Sequence, residues 1–361
     1  MTKRKIGVGV VGCGEIAQLM HLPIIKELPQ LEIAALCDLS RQVVDSLGEA
    51  YGVAGRYTDH HDLINDPAVD VVVICTYDHG PIIEDVIAAG KHFTVEKPLA
   101  FTAEEAAPLI EKATAKGVLG LVGYMKLYDP GYVLGIERMA SIEALKQIHV
   151  HNFAGRFDRY QSLYTQVRGS DVDPASLAAG RALADARIEA SLGPDHAGYR
   201  DTYLMLLMLG SHNLAVLRGA FGVAESVEYA KAVDPNHIFA LLNFANGVPC
   251  VFEVSFGAQY EWWDEWIAAY GKHDEVRVDF QNPYIRNTAA TVTIREPRGN
   301  GPSEVVIPGK PDTAFRQQWL HFIDCIENGT APRTSLQGGL EDLKLAQAII
   351  QALPPRPKGK N

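Results

Sequence analysis

The feature that most constrains the fold is a glycine turn that follows a short apolar run at 6–11 and opens an amphipathic run at 16–27. A strand that passes through Gly-x-Gly into a helix is typical of the first βα unit of a nucleotide-binding sheet. Gly12 permits the tight turn, Gly14 lets the backbone approach a pyrophosphate, and Ala17 allows the helix to pack closely on the strand. The start of the helix adds partial positive charge for phosphates. The predicted cofactor contacts of this turn are Gly12, Cys13, Gly14, Glu15 and Ile16.

The same alternation of short β-branched runs and longer amphipathic runs continues to residue 123, which is the pattern of βαβ units around a parallel sheet. Gly90 and Gly117 follow two of the amphipathic runs, where a left-handed helix C-cap is favoured. Residues 1–125 are therefore predicted to form an α/β domain, a doubly wound parallel Rossmann sheet. The expected strands are 6–11, 32–37, 69–75, 92–96 and 118–123, and the expected helices are 16–27, 41–51, 81–89 and 103–116.

The pattern changes after Pro130, where strand-like runs follow one another with few helices between them. Such a series predicts an antiparallel sheet. Residues 126–353 are therefore expected to form a second domain of α+β class with a large, mostly antiparallel sheet. The expected strands are 147–153, 224–231, 237–243, 249–257, 266–270, 275–280 and 290–294, and the expected helices are 131–140, 315–328 and 340–353.

Residues 155–200 separate the first of these strands from the next helix. Asp173 and Pro174 start an alanine-rich stretch that continues to Leu192 and predicts a capped helix in a polar setting. This segment could serve as a lid or as an oligomer arm. After the last helix, residues 354–361 are expected to be a disordered tail.

The charge balance argues against a nucleic-acid partner. The chain has 33 basic and 44 acidic side chains, a net charge of −11, and its basic residues are not segregated. No apolar run approaches the roughly 20 residues that span a bilayer, and no signal-peptide core follows the N-terminus, so a cytoplasmic protein without a membrane partner is expected. The five cysteines are far apart, which predicts buried thiols rather than disulfides.

Asp38 ends the second predicted strand, about 20 residues after Ala17, the spacing at which a carboxylate accepts hydrogen bonds from ribose hydroxyls. Alone it would be interpreted as a solvated helix cap, but the glycine turn favours dinucleotide binding. A carboxylate here repels a 2′-phosphate, so NAD is the predicted cofactor. NADP stays open as an alternative because Arg41, one turn further on, could pair with that phosphate.

Glu96, Lys97 and Pro98 end the fifth predicted strand, at the carboxyl edge where an open α/β sheet places its ligands. The plainer interpretation of Lys97 is a surface ammonium at a strand end. Beside a bound cofactor, however, it could hold a substrate hydroxyl and take part in proton transfer if burial lowers its pKa.

These motifs in this order resemble the Gfo/Idh/MocA (glucose-fructose oxidoreductase / inositol dehydrogenase) family. The resemblance rests on the glycine turn, Asp38, the run 89–100 around Lys97, the joining segment 123–130 and the closing helices at 315–345. It implies a Rossmann domain at 1–125 and a substrate-binding and oligomerisation domain at 126–353, whose open-faced sheet commonly mediates a homo-oligomer, a dimer or tetramer. It also implies NAD(P)-dependent oxidation or reduction of a small-molecule sugar, sugar derivative or polyol.

The resemblance assigns catalytic roles to Lys97 and His212, whose neutral imidazole would accept the hydroxyl proton as hydride leaves the same carbon. The sequence departs from the family where Met208 and Ala215 replace acidic residues. Further cofactor contacts are expected at Arg41, Thr76, His79, Glu96, Lys97 and Met125, and substrate contacts at Lys97, Tyr124, Lys126, Tyr199, Arg200 and His212. The aromatic and acidic run 262–265 is assigned to packing or oligomer contact.

The resulting prediction is an NAD-dependent oxidoreductase that transfers hydride between nicotinamide and a secondary alcohol of a sugar, glycoside or cyclitol. Two alternatives stay open: a redox-neutral glycoside-processing enzyme that recycles its NAD, and an inactive cofactor-binding subunit or sensor. No metal is predicted, because hydride transfer needs none and the pairs His60-His61 and His149/His151 show no carboxylate or thiolate at ligand spacing.

Overall fold

The computed structural model describes residues 4–155, 164–257 and 262–359, which form two compact units. The first unit comprises Met1–Gly123, Ser162–Arg187 and Gln318–Leu340, and the second comprises Tyr124–Gln161, Ile188–Gln317 and Glu341–Asn361. These units differ from the predicted division at residue 125, because two later segments pack with the N-terminal unit. Val167 bonds to Gln18 there, and Trp319 bonds to His21.

The first unit is built on a parallel sheet of six strands in the order β3-β2-β1-β4-β5-β6. This is the strand order of doubly wound dinucleotide-binding domains, so the predicted fold class of this half is confirmed. β4 is buried along its whole length, as expected where helices cover both faces of a sheet. The strands are β1 (Ile6–Val11), β2 (Leu31–Cys37), β3 (Gly55–Tyr57), β4 (Val71–Ile74), β5 (His92–Val95) and β6 (Gly120–Val122).

Several helices of this unit begin at capping residues that the sequence provides. Ser40 caps α2 by accepting from the Val43 N–H, and Thr102 and Glu105 form a capping box at the start of α5. Gly117 ends α5 with φ +65°, as predicted. The helices are α1 (Leu22–Glu27), preceded by a π-helical turn (Ala17–His21), α2 (Arg41–Tyr51), α3 (His60–Asn65), α4 (Gly80–Ala88) and α5 (Ala103–Lys116).

The second unit contains an eight-stranded sheet in the order β14-β13-β12-β11-β7-β10-β9-β8. Its neighbours are antiparallel except for β7 and β10, which confirms the predicted mostly antiparallel sheet. Burial alternates along β7 and β9, so one face of the sheet carries the core. The strands are β7 (Gln147–Ala154), β8 (Ser226–Asp234), β9 (His237–Phe244), β10 (Val248–Phe256), β11 (Asp264–Tyr270), β12 (Glu275–Asp279), β13 (Thr291–Arg298) and β14 (Gly301–Pro308).

The remaining helices include one long apolar stretch. Two helices and a π-helical turn (Leu206–Gly210) lie within the continuous helical stretch Ala197–Phe221, which is long and apolar enough to cross a membrane by length and composition, contrary to the expectation from the sequence. The most apolar part of this stretch is 61% buried in the structure, as in the core helix of a soluble protein. The helices are α6 (Pro130–Met139), α7 (Pro174–Leu192), α8 (Arg200–Met205), α9 (Ser211–Phe221), α10 (Ala314–Asn328) and α11 (Leu336–Gln351).

The predicted disordered tail makes ordered contacts in its first half. The Pro354 carbonyl accepts from the Tyr199 hydroxyl at 3.0 Å, and the Arg356 N–H donates to the Asp195 carbonyl at 2.6 Å. The Arg356 carbonyl in turn accepts from the Gly198 N–H at 2.9 Å. The start of the tail is therefore hydrogen-bonded to residues 195–199, the segment that leads into α8.

Candidate functional site

The glycine turn brings the carboxyl end of β1 against the start of the following helix. Gly12 has φ +87°, and a Cβ there would lie 2.7 Å from the backbone carbonyl of Cys75 after β4. A Cβ at Gly14 would meet nothing within 4 Å. Gly12 is thus required by the backbone itself, whereas Gly14 leaves open space beside the helix start, where phosphate groups are favoured.

A groove of about 870 Å³ runs along the carboxyl ends of β1, β2 and β4 in the first unit. Its volume lies within the roughly 300–1,000 Å³ typical of small-molecule and cofactor sites. Of the predicted cofactor residues, six line the groove: Gly12, Cys13, Gly14, Glu15, Asp38 and Thr76. Within the described part of this unit, five others lie outside its lining: Ile16, Arg41, His79, Glu96 and Lys97.

Asp38 ties the glycine turn to the end of β2. One carboxylate oxygen accepts from the Cys13 N–H at 2.8 Å, and the other accepts from the Ser40 N–H at 2.9 Å. A carboxylate has about four acceptor positions, so two remain for ribose hydroxyls. The guanidinium of Arg41 donates to the Arg56 carbonyl at 3.1 Å, which directs it along the surface of α2 and β3.

Residues 164–181, which we call the groove segment, close one side of the groove in the same unit. Val167 and the Gln18 side chain exchange two hydrogen bonds of 2.8 and 2.9 Å. Gln166 donates to Glu15 at 2.8 Å, and the Ser170 N–H donates to Gln42 at 3.1 Å. The contacts of the groove segment are with residues some 150 positions away, so no local pattern indicates them, and residues 155–200 could be predicted only as a lid or an oligomer arm.

Glu96, at the end of β5, is held by a buried hydrogen-bond chain. Trp319 donates to Nδ1 of His21 at 3.1 Å, so the proton of that imidazole is on Nε2, which contacts Glu96 at 2.9 Å. Burial raises the pKa of Glu96, but the hydrogen bond from His21 and the charge of Lys97 outweigh burial and lower that pKa overall. Glu96 is therefore an anion beside Lys97, which is partly exposed and precedes a cis proline.

His79 links the loops that follow β4 and β5. Its Nδ1 lies 2.6 Å from the Pro98 carbonyl and its Nε2 lies 2.8 Å from the Thr76 carbonyl. Burial lowers the pKa of His79, which favours the neutral ring. The histidine thus connects the loop carrying Lys97 to the groove-lining Thr76.

In the second unit the structure brings Tyr124 and His212 together. Their rings meet edge to face with centroids 6.3 Å apart, and both are buried. Arg218 forms a bidentate pair with Asp342, at 2.8 and 3.0 Å. Burial and the Asp342 carboxylate raise the pKa of Tyr124, and burial raises the pKa of Asp342 to about 6 against the effect of Arg218. Sequence reasoning missed Asp342 because it lies on the distant α11.

Lys126 is buried in an ion pair with Glu265 of β11. The same carboxylate accepts from the Asn213 side chain at 2.9 Å and from the Trp263 indole at 3.0 Å. Burial lowers the pKa of Lys126, while Glu265 opposes this effect. Residues 262–265 were predicted to serve packing or oligomer contact. Strand alternation places Glu265 on the face of Ile267, a buried position where a charge needs a partner.

The other predicted substrate and cofactor residues of this unit are Met125, Tyr199 and Arg200. Met125 lines a small cavity of about 30 Å³ with Lys126 and Phe280. Tyr199 contacts the C-terminal tail, and Arg200 pairs with its exposed neighbour Asp201 at 2.6 Å.

His60 and His61 were predicted not to bind a metal because no carboxylate was expected beside them. The structure shows that this reason is wrong. Asp59 contacts His61 at 2.7 Å, and Asp85 lies 2.8 Å from His60 and 3.3 Å from His61. Carboxylates therefore stand beside both imidazoles. The hydrogen bonds of Asp59 raise the pKa of the exposed His61.

The parallel sheet, the glycine turn and Asp38 define the first unit as a dinucleotide-binding Rossmann domain. Residues 6–124 match the family described as an oxidoreductase family with an NAD-binding Rossmann fold. The predicted resemblance to Gfo/Idh/MocA is thus confirmed over residues 6–124, and this part of the chain is an NAD(P)-binding domain of that oxidoreductase family.

Two curated relatives show how far the likeness extends. An uncharacterised oxidoreductase, YrbE of Bacillus subtilis, is 24% identical over 98% of this chain and 95% of its own length. Inositol 2-dehydrogenase of Paracoccus denitrificans is 38% identical, but the match covers only 35% of this chain and 39% of that enzyme.

Two solved structures share the fold. The aldose-aldose oxidoreductase of Caulobacter crescentus has a TM-score of 0.72 at 23% identity, with 97% of both chains covered. A 3-ketoreductase from Actinomadura kijaniata, solved with NADP and TDP-benzene, has a TM-score of 0.72 at 18% identity, covering 97% of this chain and 98% of its own.

Proposed function

We propose that this chain is an NAD-dependent dehydrogenase that transfers hydride between nicotinamide and a secondary alcohol of a sugar, glycoside or cyclitol. The observation that carries the proposal is the groove at the carboxyl edge of the Rossmann sheet, with Asp38 and the open space at Gly14 on its lining. Asp38 disfavours a 2′-phosphate, and the Arg41 guanidinium is engaged at the Arg56 carbonyl. The match to an inositol 2-dehydrogenase over 35% of this chain supports a cyclitol or sugar as substrate.

Within this proposal Lys97 holds the substrate hydroxyl, and His212 accepts its proton while NAD, when bound, takes the hydride. Glu96 and His79 support the loop that carries Lys97, through the contacts with His21 and the Pro98 carbonyl. Tyr124 and Lys126 are assigned to the substrate side.

The test is a screen of NADH production across sugars, cyclitols and glycosides, with nucleotide affinity measured separately. Lys97→Ala should lower kcat by roughly 10²–10⁴-fold and leave the Kd for NADH within about threefold of wild type. Lys112→Ala, an exposed lysine on α5, is the matched control and should behave as wild type. Full activity of Lys97→Ala would refute the assignment, and product without net NADH would favour the redox-neutral reaction.

A further inference from the structure

The groove segment carries an acidic residue, Asp171, onto the first turn of α2, the helix that follows Asp38 in the chain. Asp171 accepts a hydrogen bond from the Ser40 hydroxyl, and its second oxygen accepts from the Gln42 N–H at 3.1 Å. Ser40 lines the groove and is the N-cap of α2, two residues after Asp38. The neighbours of Asp171 on the groove segment, Gly169 and Val172, also line the groove.

These bonds occupy the donors that a 2′-phosphate would need. The Ser40 hydroxyl has one proton, which it gives to Asp171, while its oxygen accepts from the Val43 N–H at 3.1 Å. The Gln42 N–H belongs to the first turn of α2, where unpaired amides and the helix dipole favour anions. A carboxylate already satisfies both groups.

The approach of the groove segment at this point is close. A Cβ at Gly169 would lie 1.9 Å from the Ser40 Oγ, so a larger residue here would have to displace that hydroxyl. The hydrogen bond from Ser40 and the backbone amides of Gln42 and Arg41 lower the pKa of Asp171, which is therefore an anion at neutral pH. Asp171 thus joins Asp38 as a second carboxylate hydrogen-bonded to Ser40, a residue that lines the groove.

We propose that Asp171 is a specificity-determining residue that excludes the 2′-phosphate of NADP by taking its place on Ser40 and Gln42. The inference rests on the proposed function, since it assumes that the adenosine half of a dinucleotide binds beside Asp38. NAD, which has a 2′-hydroxyl in place of the phosphate, leaves the Asp171 contacts intact. A phosphate would have to displace a carboxylate and then lie between it and Asp38, with like charges on both sides.

The test measures Kd for NADH and for NADPH by nicotinamide fluorescence, without substrate, in wild type, Asp171→Ser and Asp173→Asn. Asp173 lies two residues on and caps α7, at 3.0 Å from the Ala175 N–H, so its substitution removes the same charge from the same segment and leaves a capping side chain. In Asp171→Ser the ratio of the NADPH Kd to the NADH Kd should fall at least tenfold. In Asp173→Asn it should stay within twofold of wild type.

The outcomes separate this inference from the proposed function. An unchanged ratio in Asp171→Ser with NADH binding intact overturns the inference alone, as does an equal fall of the ratio in Asp173→Asn. A wild-type protein that binds neither nucleotide overturns both. A shifted ratio in an enzyme that turns over none of the sugars or cyclitols supports the role of Asp171 and refutes the substrate assignment.

Discussion

The carboxylate of Asp38 accepts the backbone N–H of Cys13 at 2.8 Å, so the end of β2 and the glycine turn after β1 are joined by a direct hydrogen bond. The residue that faces the ribose in the proposed complex therefore also holds the loop that faces the pyrophosphate. The ribose and pyrophosphate parts of the proposed dinucleotide site are therefore directly connected. Changes in the turn should affect the affinity for the cofactor and the free energy of unfolding to different degrees.

Gly12→Ala and Gly14→Ala should separate these two effects. Gly12→Ala places a Cβ 2.7 Å from the Cys75 carbonyl at φ +87°, so we expect a loss of roughly 2–4 kcal/mol in the free energy of unfolding, measured by urea denaturation. Gly14→Ala meets no atom within 4 Å, so stability should change by less than about 1 kcal/mol. Its affinity for NADH should nevertheless fall about tenfold or more, because the backbone can no longer approach the pyrophosphate. Equal losses of stability in both variants would contradict this account.

The strands and helices that were predicted correctly are those with a strong local pattern of apolar and capping residues. The buried runs of β1 and β4 and the capped α5 lie where they were expected, because their patterns are local. β3 was missed since it has only three residues, and β14 since every second residue is exposed. The two residues Gly299-Asn300 between β13 and β14 are nevertheless typical of a β-hairpin turn.

The candidate site was predictable only where its residues follow strand ends. Gly12, Asp38 and Lys97 could be found because the carboxyl edge of a parallel sheet is where ligands bind. Glu265 and Asp171 could not be assigned in this way. Their importance arises from partners more than a hundred residues away, and no local spacing encodes such contacts.

The buried pair of Lys126 and Glu265 should behave differently from an exposed pair. Lys126→Met and Glu265→Gln should each lower the free energy of unfolding by about 3–5 kcal/mol, because each leaves an uncompensated buried charge. The double variant should lose at least about 1 kcal/mol less than the sum of the two. The exposed pair of Lys112 and Glu84, substituted by alanine, is the control and should show coupling below about 1 kcal/mol. Strict additivity at Lys126 and Glu265 would show that the charges do not interact.

Asp342 should make stability fall as pH rises from about 4 to about 6. Its pKa is raised to about 6 in the folded protein, from 3.8 for an ordinary carboxyl, so the folded state holds a proton that the unfolded chain has released. The contribution of this group is fully present below the unfolded pKa and is lost as pH rises through the folded pKa.

Asp342→Asn removes this titration. Subtracting the variant's free energy of unfolding from that of wild type at each pH therefore isolates the contribution of Asp342. Across this window the difference should decline with a slope of up to about 1.4 kcal/mol per pH unit. The variant is expected to be less stable overall, since Arg218 loses its bidentate partner, but the slope is independent of that offset. A difference that is flat or rises with pH would show that Asp342 is ionised throughout.

Arg187 should control how firmly α7 is held in the first unit. Its guanidinium donates to Asp78 and, at 2.6 Å, to Glu105, and it lies 5.9 Å from the centre of the Phe101 ring. The side chain is about a third exposed, so we expect this clamp to contribute about 1 kcal/mol. Arg187→Ala should therefore raise the rate of limited proteolysis within residues 164–187 about fivefold, as the opened population grows. Arg181→Ala, an exposed arginine on the same helix, is the control and should be cleaved at the wild-type rate. Equal rates in both variants would show that Arg187 does not fasten the helix.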